Sequence, residues 1–259
     1  MGDPSKARVV WIHGGSVEDS SVMTADIEPF FGRILALFPD TRGHGLSSRF
    51  ERAEDYAYEH KCEDLLHWLD ALGVERAVWG GASMGAALSL WAAIHAPARV
   101  RGVVSVSGPP YAPLASEVAW WRAHRPLVEA GNFEAFFDAN VRFRMGEASL
   151  ARLRARPERY AELLATLGRH SVASLLALLD ETYSRPEWLV DCARIRCPVL
   201  VVAGGDDAFP TVEMSRRVAE TIPGARLHVV AGGAHFPNRS HRAEVQAAIG
   251  RFLDALPVE

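Results

Sequence analysis

The stretch Ala77–Ala96, AVWGGASMGAALSLWAAIHA, decides how the rest of the chain is read. Its first residues, AVWG, are a short apolar run of the kind that makes a buried strand. AALSLWAAIHA then carries a helical pattern that Pro97 stops. Between them stands Gly81-Ala82-Ser83-Met84-Gly85, a G-x-S-x-G pattern. The pattern is weak by itself, and its place between a strand and a helix gives it meaning. Ser83 falls on a sharp strand-to-helix turn, and the flanking glycines permit the close backbone approach such a turn needs. Ala86 and Ala87 keep the helix near the sheet. Ser83 also sits at a helix N-terminus, where backbone N–H groups can stabilise developing negative charge. The plainer reading, a serine that only caps the helix, gives way to this context.

Outward from this unit the same theme repeats. Arg8–Ile12 (RVVWI), Ile34–Phe38 (ILALF), Ala77–Trp79 and Val103–Val106 are apolar runs, and a helical pattern over Glu59–Leu72 ends at Gly73. From residue 197, CPVLVVAGGDD reads as strand then loop. Thr211–Thr221 reads as helix, Ala225–Val230 as strand and His241–Leu256 as a closing amphipathic helix. Near-continuous apolar strands separated by helices predict an α/β fold with a mostly parallel central sheet covered on both faces. The middle contains no convincing strand. It reads as helices broken at Pro126, Gly131, Pro157, Gly168 and Pro186, with Asn132 capping a helix that carries Phe133, Phe136, Phe137 and Val141. The expected organisation is a core domain of residues 1–113 and 191–259, with a helical cap of residues 114–190 inserted into it.

Composition narrows the function classes. Of 259 residues, 49% are hydrophobic and 23% charged, ordinary for a globular chain. The net charge of −4 offers no electrostatic footprint for nucleic acid or an anionic membrane. Cys62, Cys192 and Cys197 form neither a disulfide framework nor a CxxC pair. No apolar run reaches membrane-span length, and the N-terminus lacks a secretion pattern, so a cytoplasmic protein is expected. All 28 basic residues are arginine except Lys6 and Lys61. That bias reads first as base composition of the gene, and second as a supply of fork-shaped donors for an anionic substrate.

A serine hydroxyl needs a base to become a nucleophile. His235 follows the strand RLHVV in the glycine-rich loop AGGAHFPN, at the carboxyl end of a strand, where open α/β sheets build their sites. The base in turn needs a carboxylate. Asp206 and Asp207 follow PVLVV in AGGDDAFP, again at a strand's carboxyl end; one serves and the other caps a turn. The order Ser, Asp, His along the chain is one of the known triad orders.

Along nearly its whole length the chain resembles α/β-hydrolase-fold enzymes of the serine esterase/lactonase type. His13-Gly14-Gly15 after the first strand, Asp40-Thr-Arg42-Gly43-His44-Gly45-Leu-Ser47 after the next, GASMG, and the Asp and His loops carry the resemblance. It implies a catalytic triad of Ser83, Asp207 and His235, an oxyanion hole from the N–H groups of Gly15 and Met84, and a structural role for the Asp40–Ser47 loop. For the acid, position after Gly204 points to Asp207 and counting back from Pro210 to Asp206; Asp207 is preferred. Two departures stand out. The residues before the first strand are too few for the family's usual N-terminal hairpin, so a shortened sheet edge is expected, and Ala82 stands where His or Asn is common.

The resemblance implies a hydrolase for a small or medium carboxylic ester or lactone, acting through an acyl-enzyme. It implies no cofactor, and no histidine or carboxylate pair with a third partner suggests a metal. The alternatives on the same residues are carbon–carbon bond hydrolysis and cofactor-free perhydrolase/haloperoxidase chemistry; a third is a non-enzymatic receptor. Haloalkane dehalogenases and epoxide hydrolases of this fold have aspartate at the elbow, and Ser83 argues against both. The expected partner is a small molecule. Candidate substrate contacts are His13 and Gly14, together with Trp120, Trp121, Phe136, Phe137 and Phe143 of the cap, one to three of which are expected to face the pocket. Arg122, Arg125, Arg142 and Arg144 lie among these aromatics and could meet a substrate carboxylate. The cap's ten Arg balance ten acids, however, so composition is the expected reading.

Overall fold

Four of the runs, Ala7–Ile12, Ala77–Ala82, Val100–Val106 and Val199–Gly204, supply hydrophobic side chains to two faces, and that is why they fold as interior strands. The computed structural model describes residues 1–3, 5–15 and 18–257. Its strands are β1 (Ala7–Ile12), β2 (Ile34–Leu37), β3 (Ala77–Ala82), β4 (Val100–Val106), β5 (Val199–Gly204) and β6 (Arg226–Val230). In β1, Val10 and Ile12 enter one core while Val9 and Trp11 enter the other; in β5, Val199 and Val201 oppose Leu200 and Val202 in the same way.

The strands form one sheet in the order β2-β1-β3-β4-β5-β6, and every neighbouring pair is parallel. One face is covered by α2 (Tyr58–Ala71), α3 (Met84–His95) and α9 (Val212–Thr221), through residues such as Leu65, Leu88 and Val218. The other is covered by α1 (Thr24–Ile27) and α11 (Arg242–Asp254), through Ile27, Val245, Ile249 and Phe252. A short α10 (Pro237–Ser240) precedes α11. The chain leaves β1 toward β2 on one side, then returns to lay β3 on the other side. The carboxyl ends of β1 and β3 therefore flank a point where strand order reverses, the place where open α/β sheets open a crevice.

The shortened sheet edge takes a specific form. Among the described residues no hairpin precedes β1. Instead Gly2 makes a single antiparallel bridge to Leu35 on the outer side of β2, with Asp3 N–H donating to Ile34 O at 3.0 Å.

Between β4 and β5 lie α4 (Ala115–Glu129), α5 (Phe133–Met145), α6 (Glu147–Arg154), α7 (Pro157–Leu167) and α8 (Val172–Ser184). They enclose a third hydrophobic cluster that includes Trp121, Phe136, Phe137, Leu175 and Tyr183. Asn132 caps α5, its side chain accepting the Ala135 N–H. Pro126 does not end a helix as the sequence suggests; it sits inside α4, close enough to its end that the helix loses one N–H donor and continues. The unanticipated break falls at Gly146, whose φ of 83° separates α5 from α6. Among the described residues no single helix is long and apolar enough to cross a membrane.

Candidate active site

Ser83 lies at the tip of a tight β3-to-α3 turn with φ 53° and ψ −114°, a left-handed conformation rare for a residue with a Cβ. The turn forms because its glycines let the end of β1 come close. A Cβ on Gly85 would stand 2.3 Å from Ile12 O and 2.6 Å from His13 O, and one on Gly81 would stand 2.1 Å from Ile12 O. These are backbone atoms of a central strand and cannot swing aside. Gly85→Ala is therefore expected to destabilise the fold by about 2–3 kcal/mol through overpacking, read as a lowered midpoint in urea unfolding. An unchanged midpoint would show that the two strand ends can separate freely.

The other two strand ends bring their loops to Ser83. His235 Nε2 lies 3.0 Å from Ser83 Oγ, and His235 Nδ1 lies 3.0 Å from Asp207 Oδ2. Asp207 also accepts the Phe209 N–H on Oδ1 at 3.0 Å. Both Asp207 and His235 are buried. The adjacent Asp206 is exposed and turned away, its backbone N–H donating to Gly233 O. The structure thus brings Asp207, and not Asp206, to the histidine. With Nδ1–H donated to the carboxylate, Nε2 presents a lone pair to the Ser83 hydroxyl.

Gly15 and Met84 line the same space as Ser83. Met84 is the first residue of α3, where an N–H has no partner within the helix. Gly15 packs directly against it; a Cβ on Gly15 would lie 3.6 Å from Met84 Cβ. The turn that presents Gly15 is held at both ends. His13 is fully buried, and burial pushes its pKa below the ordinary histidine range, so it is neutral. Its Nε2 accepts the Thr41 N–H at 3.1 Å, so the proton is on Nδ1, which donates to Gly14 O at 2.6 Å. Glu18 Oε2 accepts the Gly14 N–H at 3.0 Å. In a trans peptide the C=O and the next N–H point in opposite directions. Anchoring Gly14 O therefore aims the Gly15 N–H away from His13, and no hydrogen bond from it is found among the described residues.

The Asp40–Ser47 loop supports this arrangement from below. Asp40 accepts the N–H groups of Ser20 and Leu46, Arg42 grips both carboxylate oxygens of Asp64 at 2.7 Å, and His44 is buried with its ring 4.6 Å from that of His13. Among the described residues no group of three or more His, Cys, Asp or Glu side chains is placed to hold a metal ion.

Above Ser83 lies a cavity open to solvent. Gly15, Met84, Phe209, His235 and Phe236 wall it from the sheet side, and Asn140, Arg144, Tyr183 and Arg185 from the helical insertion. The aromatic residues expected to line it do not. Trp121, Phe136 and Phe137 are buried in the insertion's own cluster, and Trp120 stacks on Phe143 with ring centroids 4.7 Å apart. Burying that apolar area between the five helices is what holds them together. Phe137 borders only a neighbouring cleft. His13 and Gly14 lie beneath the cavity rather than on its wall. The cavity's aromatics are instead Phe209 and Phe236, which neighbour Asp207 and His235 in sequence, and Tyr183 of α8. Of the four arginines considered, Arg125 is paired with Glu129 and Asp180, Arg142 with Glu147, and Arg122 is exposed; only Arg144 reaches the cavity.

The family model described as alpha/beta hydrolase fold matches residues 33–241. The 3-oxoadipate enol-lactonase 2 of Acinetobacter baylyi is 27% identical over 236 residues, covering 90% of this chain and 85% of that protein. A Caulobacter sp. protein named, provisionally, as the carbamate hydrolase RutD is 26% identical over 270 residues, covering 97% and 92%. Among solved structures, the enol-lactonase from Burkholderia xenovorans superposes with a TM-score of 0.82 at 20% identity, covering 98% of this chain and 94% of that one. With the family model spanning residues 33–241, which include five of the six strands, the chain belongs to the α/β-hydrolase fold family.

Proposed function

We propose that this protein is a serine hydrolase that cleaves a small or medium carboxylic ester or lactone through an acyl-enzyme. The observation that carries the reading is the unbroken chain from Ser83 Oγ to His235 to Asp207, each link 3.0 Å, beside the N–H groups of Gly15 and Met84, for which no protein acceptor is found among the described residues. Ser83 Oγ attacks the acyl carbon while its proton passes to His235 Nε2. Asp207 holds the ring and stabilises its cationic form. The carbonyl oxygen, now negative, is held by the N–H groups of Gly15 and Met84. His235 then gives the proton to the departing alcohol or enol oxygen, which leaves as the acyl-enzyme forms. A water molecule yields a proton to His235 and attacks the acyl carbon, releasing the acid and restoring Ser83.

In this reading residues 114–190 act as a cap over a core domain of residues 1–113 and 191–259, closing the cavity above the nucleophile. The two curated relatives named for lactone and carbamate hydrolysis support acyl transfer at this site. The test is a substrate panel: a p-nitrophenyl acyl ester, an aliphatic lactone, a vinylogous diketone, and peroxide-dependent halogenation. The ester and the lactone are expected to turn over fastest. Faster cleavage of the diketone, or halogenation as the dominant activity, would overturn the assignment.

A further inference from the structure

The charges on the cavity wall do not cancel. Three carboxylates line it, and each has its own cation. Glu18 pairs with Arg239 at 2.6 Å, Glu117 with Arg144, and Glu181 with Lys61 at 3.5 Å. One cation is left over. Arg185, just beyond the end of α8, lines the same cavity and has no carboxylate within 4.0 Å among the described residues. Its Nη1 donates to Tyr58 Oη at 3.2 Å, and its guanidinium lies 5.6 Å from the centre of the Tyr58 ring. Tyr58 supplies no negative charge, because burial pushes its pKa up to about 12. The Arg185 Nε is buried and makes no hydrogen bond.

A second donor has the same character. Asn140 on α5 is only 4% exposed, lines the cavity, and its Nδ2 has no acceptor. Unsatisfied buried donors are costly, and an uncompensated guanidinium more so. A planar anion with two oxygens is the ligand chemistry that satisfies an arginine fork. Arg144, one turn from Asn140 on the same helix, does not serve, since Glu117 neutralises it and its other branch is bonded to Tyr183 Oη at 3.2 Å.

We propose that the substrate carries a carboxylate in addition to its scissile acyl group, and that Arg185, with the Asn140 amide, holds it. The proposal rests on the acyl-transfer reading of the same cavity and narrows its substrate to acidic esters or lactones. Where the substrate is a lactone, or an ester with this carboxylate on its acyl part, the hydrolysis product is a dicarboxylate, because cleavage of the acyl bond adds a second carboxylate to the one already bound.

The experiment compares kcat/KM for the p-nitrophenyl monoester of adipic acid with that for p-nitrophenyl hexanoate, an uncharged ester of the same chain length. It also measures calorimetric binding of adipate. The wild-type protein is expected to prefer the acidic ester. In Arg185→Gln the acidic-to-neutral ratio is expected to fall about 30-fold, the size of a lost charge-assisted contact. Adipate binding is expected to weaken in parallel, and Arg185→Lys to keep part of both. An acidic-to-neutral ratio equal in wild type and Arg185→Gln, with esters turned over, overturns the carboxylate site and leaves the hydrolase reading standing. Adipate binding that depends on Arg185, with neither ester turned over, does the reverse.

Discussion

Replacing Ser83 with alanine is expected to lower kcat for a p-nitrophenyl acyl ester by about 10⁴- to 10⁶-fold, with the fold intact. The effect is large because nothing else near His235 can take the place of the hydroxyl. His235 Nε2 faces Ser83 Oγ at 3.0 Å, and Ser107, the other serine at a neighbouring strand end, is fully buried beneath the site. What survives, on the proposed mechanism, is the contribution of the Gly15 and Met84 N–H groups and of substrate binding, which would polarise the carbonyl toward attack by water. Stability should not change, since alanine keeps the Cβ and so the same strain at φ 53°. The Ser83 side chain makes no cap hydrogen bond to α3 that would be lost. Steady-state kinetics beside a thermal melt check both halves. A variant that keeps a tenth or more of the wild-type rate would exclude Ser83 as the nucleophile.

Much of the architecture could be read from the chain because the relevant signals are local. Strands buried on both faces must be apolar at consecutive positions, as Val9–Ile12 and Val199–Val202 are, and glycines must stand where two backbones touch, as Gly81 and Gly85 do. Ser83 and His235 were visible for a related reason: both follow an apolar run directly, and the parallel sheet delivers all such positions to one edge. What could not be read depends on direction or on distant partners. Asp206 and Asp207 are chemically the same, and only the path of the loop after β5 turns one inward. Whether an aromatic in a helical segment faces a cavity or a neighbouring helix depends on how five helices assemble, and Trp121, Phe136 and Phe137 went to the helices. The sequence does not single out Arg185, because its significance is the absence, among the described residues, of a counter-ion. That absence appears only once Glu117 is seen with Arg144 and Glu181 with Lys61, 120 residues away.

The choice of Asp207 over its neighbour has a consequence that a conservative pair of variants isolates. In Asp207→Asn, the Phe209 N–H still requires an acceptor at the position of Oδ1, where it now finds one at 3.0 Å. That bond fixes the amide so that its NH₂ points at His235 Nδ1, which lies 3.0 Å from the present Oδ2. Two donors cannot share that contact, so Nδ1 must become the acceptor and the ring proton must move to Nε2. A protonated Nε2 faces Ser83 Oγ as a donor and cannot take its proton. The expected loss in kcat is about 10⁴-fold, with KM little altered, because the substrate cavity is untouched. Asp206→Asn, at an exposed position whose backbone alone is bonded, should stay within about 3-fold of wild type, the usual range for a surface substitution. Equal losses in the two variants, or a larger loss at Asp206, would mean that the loop after β5 presents the wrong carboxylate in this account. A loss confined to Asp207 ties the activity to the tautomer that this one hydrogen bond selects.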